Sequence, residues 1–173
     1  IESSDVAIAN LELTLAGPPY KGYPQFSAPD ELASAIRKSG IDILVTANNH
    51  SLDRYANGLE RTIDVLDSLN IPHTGTFKDS IAWASDHPYL FEREGISFAL
   101  LNYTFGTNGI SIEEPNIVNY IDREAIKRDL IKAKANHPDI IIVFMHWGKE
   151  YESLPGRSQK DIASLCFNQG ANL

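Results

Sequence analysis

Cysteine and methionine are nearly missing from this 173-residue chain, with one of each. A lone cysteine, Cys166, excludes an internal disulfide framework, so packing and hydrogen bonds must hold the fold. Cys166 shares a helical face with Ile162 and Leu165, the setting of a small buried hydrophobe rather than a nucleophile. Long apolar runs are missing too. The longest, Ile140 to Met145 and Phe98 to Leu101, fall far short of the ~20 residues that a membrane span needs. Basic residues are in deficit, 15 against 23 acidic, for a net charge of −8. A surface of that sign repels phosphate backbones and anionic lipid, which argues against nucleic acid or a membrane surface as partner. What remains, 43% apolar and 22% charged residues, is the composition of a folded globular chain. Its length suits a single domain over residues 1–173.

Apolar runs of strand length alternate with amphipathic stretches. Strands are expected at Val6 to Leu13, Ile41 to Thr46, His73 to Thr76 and Ile140 to His146, with a hairpin over Tyr89 to Tyr103 turning at Glu94-Gly95. A first helix is expected from the capping-box pattern Ser27-Ala28-Pro29-Asp30 to Gly40, and a second from Asn57 to Asn70. A third follows Asp122 and a fourth spans about Ser158 to Gln169. His87, His137 and His73 sit beside prolines in connections and read as loop residues. Together these elements predict an α/β fold with a mixed sheet sandwiched by helices. The chain opens at Ile1 without an initiator methionine or a leader, and closes at Gly170-Ala171-Asn172-Leu173, where a new strand could begin. Both ends read as cut from something longer.

In open α/β sheets, ligands bind beyond the carboxyl ends of the strands. The first strand delivers Asn10-Leu11-Glu12 there, the second Asn48-Asn49-His50 with Asp53, and the last His146-Trp147-Gly148 with Glu150 and Tyr151. Amide, carboxylate and imidazole groups are hard-to-borderline ligands suited to Mn, Fe or Zn. Each has a plainer reading. Asn10 could cap a turn, Glu12 could be a surface acid, Asn48-Asn49 could be turn residues, and His146 a hydrogen-bonded core histidine. Their convergence on one sheet edge is what favours a site.

The ordered set Asn10-Leu11-Glu12, Ala47-Asn48-Asn49-His50 with Asp53, and His146-Trp147-Gly148 with Glu150-Tyr151 and Pro155 resembles the poly-gamma-glutamate capsule-biosynthesis proteins of the CapA type, a branch of the calcineurin-like metallophosphoesterase superfamily. Gly58-Leu59, Thr62, Leu66, Gly75, Gln159, Ala163 and Gly170-Ala171 fit the same pattern, whereas Tyr55 stands where the family commonly has glycine. The resemblance implies a four-layer metallophosphoesterase-like fold, truncated at both ends. It implies Asn49 as a metal ligand, His50 as the acid that protonates a leaving group, His146 as a metal ligand and Glu12 as a bridging carboxylate. Asn10, Asn48, Asp53 and Glu150 become groups that orient these residues or touch substrate. The family's upstream Gly-Asp motif and downstream Gly-x-His-Pro-His segment lie outside these residues. A two-metal site takes about seven or eight protein ligands, so the three or four here amount to half a site. Two divalent ions are therefore expected in the parent protein and weak or no binding by this piece.

Two functions follow from the resemblance. One is a metal-dependent phosphoesterase-like hydrolase acting in capsule polymer synthesis, incomplete in this chain and inactive by itself. The other is a non-catalytic module that binds or scaffolds the polymer during export. Either implies an anionic polymer or phosphoester substrate, capsule-synthesis membrane proteins as partners, and an extracytoplasmic, membrane-anchored parent. A −8 domain repels a polyanion unless a local basic patch inverts the field, and Lys21, Arg54, Arg61 and Arg157 are the residues expected to form one.

Overall fold

Strand-length apolar runs become strands in a computed structural model that describes residues 4–173. In chain order these are β1 (Ile8–Asn10), α1 (Glu31–Lys38), β2 (Ile43–Val45), α2 (Tyr55–Ser68), β3 (His73–Thr74), β4 (Thr76–Phe77), α3 (Ser80–Asp86), β5 (Tyr89–Arg93), β6 (Ile96–Thr104), β7 (Ile117–Val118), α4 (Arg123–Ala135), β8 (Ile140–His146) and α5 (Arg157–Asn168). The expected single mixed sheet is instead divided. β1, β2 and β3 form a parallel sheet; β5, β6 and β8 form a mixed one, antiparallel at β5–β6 and parallel at β6–β8; β4 and β7 make a small antiparallel ribbon.

Period-two burial explains the division. Leu44 of β2 packs with Ala33 of α1 and Val65 and Leu66 of α2, while its neighbours Ile43 and Val45 pack against Leu100 of β6. On β6 the pattern reverses: Ala99 and Leu101 join Ile126 and Leu130 of α4 and Ile162, Leu165 and Cys166 of α5. A continuous apolar strand needs both faces covered. Here one cover is helical and the other is the second sheet. Asn102 ties the sheets together: its Oδ1 accepts from the Ala47 amide at 2.7 Å and its Nδ2 donates to the Phe144 carbonyl at 3.2 Å.

Several expected boundaries move. Ser27 does not cap α1; its hydroxyl donates to the Gly17 carbonyl and its backbone pairs with Lys21, so the helix starts after Asp30. α2 begins at Tyr55 rather than Asn57, directly after a turn in which the Tyr55 amide donates to the Leu52 carbonyl. Helix α3 and strands β4 and β7 were outside the expectation. Each is too short to show a period, although Asp79 accepting from the Ile81 and Ala82 amides is an ordinary N-cap. The β5–β6 turn is as expected, with Glu94 at φ 50° and Gly95 at φ 76°, the two left-handed positions of a tight hairpin.

His87 corrects the loop reading most sharply: it is fully buried. Trp83 Nε1 donates to Asn119 Oδ1, which turns the Asn119 amide nitrogen toward His87 Nδ1 at 3.3 Å. Nδ1 must therefore carry the lone pair and Nε2 the proton, 3.1 Å from the Asp129 carboxylate. The Tyr103 hydroxyl donates to Asp129 at 2.8 Å, and burial beside that charge pushes the Tyr103 hydroxyl far above its usual pKa. Among the described residues no helix is long and apolar enough to cross a membrane.

Candidate functional site

β1, β2 and β8 end at the same edge, and the side chains that follow them meet there. Asn48, which has no exposed surface, organises the meeting. Its amide nitrogen lies 3.0 Å from Asn10 Oδ1 and 2.8 Å from the Leu11 carbonyl, while its oxygen accepts from the His50 amide at 2.9 Å. One buried side chain thus fixes the turn after β1 and the loop after β2.

Two histidines face this loop. Asn49 Nδ2 donates to Asn108 Oδ1 at 3.2 Å, so its own Oδ1 is presented to His146 Nε2, 2.8 Å away. His146 therefore carries its proton on Nε2 and leaves Nδ1 toward the Asn10 amide at 3.5 Å. Glu12 Oε1 stands 3.9 Å from the same Nε2, and Glu12 Oε2 accepts from Asn10 at 3.0 Å. Burial holds the His146 pKa below the usual imidazole value; Glu12 opposes that shift and His50 adds to it. Phe105 lies nearly parallel to the His146 ring, with centroids 6.0 Å apart.

His50 is held differently. Asp53, 1% exposed, places Oδ2 2.7 Å from His50 Nδ1, and the same oxygen accepts from the Phe26 amide at 2.7 Å. A carboxylate only accepts, so Nδ1 carries the proton and Nε2 is left as the ring's free nitrogen. The Phe26 ring meets His50 edge-on at 4.7 Å. Asp53→Asn is expected to release this tautomer while the fold persists. Imidazole ¹⁵N shifts of His50 would then average between the two nitrogens; unchanged shifts would mean that Phe26 packing, not the carboxylate, orients the ring.

Seven of the eight residues singled out in the sequence therefore lie in one network: Asn10, Glu12, Asn48, Asn49, His50, Asp53 and His146. Glu150 does not join it. Gly148, at φ 105°, turns the chain after β8, and Glu150 is exposed in the connection to α5. Three of the four residues expected in a basic patch have partners of their own. Arg61 pairs through both nitrogens with Asp30, whose carboxyl it holds below the usual range; Arg54 donates to the Pro19 carbonyl, and Arg157 lies 3.9 Å from Asp161. Asn108, Phe26 and Phe105 were missed, since nothing local links them to histidines far along the chain. Among the described residues no group of three or more His, Cys, Asp or Glu side chains is placed to hold a metal ion.

The bacterial capsule synthesis protein family PGA_cap matches this chain over residues 1–173. The chain belongs to that family. Among its relatives is the capsule biosynthesis protein CapA of Bacillus anthracis, 25% identical over 189 residues, which covers 100% of this chain and 44% of the relative. The PGA biosynthesis protein CapA of Bacillus subtilis (strain 168) is 25% identical over 153 residues, covering 83% of this chain and 38% of the relative. The chain thus spans less than half the length of these relatives. Membership agrees with the resemblance read from Asn10-Leu11-Glu12, Asn48-Asn49-His50 and His146-Trp147-Gly148.

Proposed function

We propose that this chain is part of a capsule-synthesis protein of the cell envelope that acts on poly-gamma-glutamate, with a metal-dependent, phosphoesterase-like site at the strand edge. The name of the Bacillus subtilis relative supports the polymer, and that of the Bacillus anthracis relative supports capsule synthesis. The stacking of helices, sheet, sheet and helices supports a four-layer, metallophosphoesterase-like arrangement. The observation that carries the site is the convergence of three donor atoms: Asn49 Oδ1 at 2.8 Å and Glu12 Oε1 at 3.9 Å, both from His146 Nε2.

Amide oxygen, carboxylate and imidazole fit a divalent ion such as Mn, Fe or Zn. Glu12, Asn49 and His146 would hold one such ion, with the Nε2 proton leaving as it binds. They do not suffice for a pair, which takes about seven or eight ligands. When bound, the ion supplies positive charge against the negative charge that develops at a scissile phosphoester. The chain's own part falls to His50. Its Nδ1 is fixed by Asp53, so a proton carried on Nε2 can pass to a departing oxygen, and the buried carboxylate stabilises the ring while it is charged. The parent is proposed to be extracytoplasmic and membrane-anchored, beside membrane proteins of capsule synthesis.

The test is metal content by plasma mass spectrometry after Mn or Zn loading and desalting, on this chain and its His146→Ala variant. Retention of less than one ion per chain, as half a site allows, and its loss in the variant are the expected result. A second reading, a polymer-binding module without chemistry, is favoured by the small number of charged ligands in the network. It predicts no retained metal in either protein, and polymer binding that survives chelation.

A further inference from the structure

We infer that the cavity beside His146 seats a γ-linked glutamyl segment, holding one of its carboxylates at Lys149 and its methylenes against Trp147 and Leu154. The inference rests on the polymer assignment above and adds a place and a chemistry of recognition that the strand-edge network does not contain.

The cavity has a volume of about 570 Å³. That volume lies inside the range of about 300–1,000 Å³ typical of small-molecule sites. It lies between the carboxyl end of β8 and the first turn of α5, and it adjoins the candidate site through two residues. Phe105 forms part of its wall and stacks on His146; Trp147, another wall residue, directly follows His146. A chain seated here lies one residue away from His146.

The lining is amphiphilic in a specific way. Trp147, Leu154 and Ile162 give apolar surface, with the Leu154 side chain exposed. Lys149 is the single cation on the lining and forms no ion pair among the described residues. Gln159 Oε1 already accepts from the Gly156 amide at 2.8 Å, which leaves Nε2 as the end free to donate. Gly148 keeps that end accessible, since a Cβ there would lie 2.9 Å from Gln159 Nε2. One cation, one amide donor and an apolar wall match a ligand whose backbone repeats carboxylate, amide and methylene.

A γ-glutamyl chain has that repeat in its main chain, because two methylenes and the carboxylate-bearing carbon all lie between successive amides. An α-linked chain carries its methylenes and carboxylates on side chains instead. The charge balance demands local recognition. A chain of net charge −8 repels a polyanion as a whole, so binding must come from one carboxylate meeting Lys149 while apolar contact supplies the rest. Glu152, on the same lining, disfavours a second carboxylate alongside the first.

The experiment is fluorescence anisotropy of a labelled γ-glutamyl oligomer of about ten units, titrated with this chain at fixed ionic strength and in the presence of chelator. Lys149→Glu and Leu154→Asp change exposed side chains, and circular dichroism checks that both variants fold. The expected result is at least tenfold weaker binding in each variant, near-unchanged binding in Lys149→Arg, and weaker binding of an α-linked oligomer of equal length. Binding undiminished in Lys149→Glu and Leu154→Asp would overturn the cavity assignment and leave the polymer function standing. Equal binding of α- and γ-linked oligomers would overturn the chemical assignment. No binding by the unaltered chain would overturn this inference together with the direct polymer contact on which it rests.

Discussion

Gly75→Ala is expected to destabilise the chain by about 4 kcal/mol, one of the two largest effects foreseen for a single substitution. Gly75 sits between β3 and β4 at φ 116°, where an L side chain is strained by about 1–3 kcal/mol. The added Cβ would lie 2.0 Å from Asn102 Oδ1 and 2.6 Å from the Ala47 amide nitrogen, and the latter is backbone. Relief requires Asn102 to move, which breaks the 2.7 Å bond from Ala47 that ties the two sheets together. A buried donor left without its partner costs about 1–3 kcal/mol more. For a chain of this size the sum corresponds to a melting temperature lowered by roughly 8–16 °C. Urea unfolding gives the number, and a loss below about 1 kcal/mol would mean that β3 and β4 can shift apart without cost.

Asn48→Ala is the second. Its fully buried amide serves Asn10, Leu11 and the His50 backbone at once. Alanine leaves the Leu11 carbonyl and the His50 amide without that partner, at about 1–3 kcal/mol each for buried groups. A loss of about 3 kcal/mol is expected by chemical denaturation. The site should loosen with the fold, because Asn10 loses the anchor that holds its amide near Glu12 and His146. Imidazole resonances of both His50 and His146 should therefore shift. Destabilisation with unmoved histidine resonances would show that the loop keeps its form through Ser51 alone, whose hydroxyl accepts from the Asn48 amide at 2.9 Å.

These two cases mark the limit of what periodicity reveals. Asn48-Asn49 reads as turn chemistry from the sequence, and part of that reading is right, since Ser51 and His50 do close a tight loop around Asn48. Nothing local says that the Asn48 amide points inward to β1 while the Asn49 amide points outward to His146. His87 is the clearer case. A histidine before proline looks like a loop residue, yet it is sealed among Trp83, Tyr103 and Asp129.

By itself the sequence determined the alternation of strands and helices, the Glu94-Gly95 hairpin and the apolar face of α5 that carries Ile162, Leu165 and Cys166. It also determined which strand ends carry amides, carboxylates and imidazoles, because all of these depend on neighbours within a few positions. The tertiary structure decided that the strands form two sheets packed on each other rather than one. It also decided which groups meet: Asn10 with His146 across 136 positions, Asn49 with Asn108 across 59, and the Phe26 amide with Asp53 across 27. Contacts at such separations are set by how whole elements cover one another's apolar faces. No local pattern carries that information, and so Glu150, adjacent to the site in sequence, stands outside it in space.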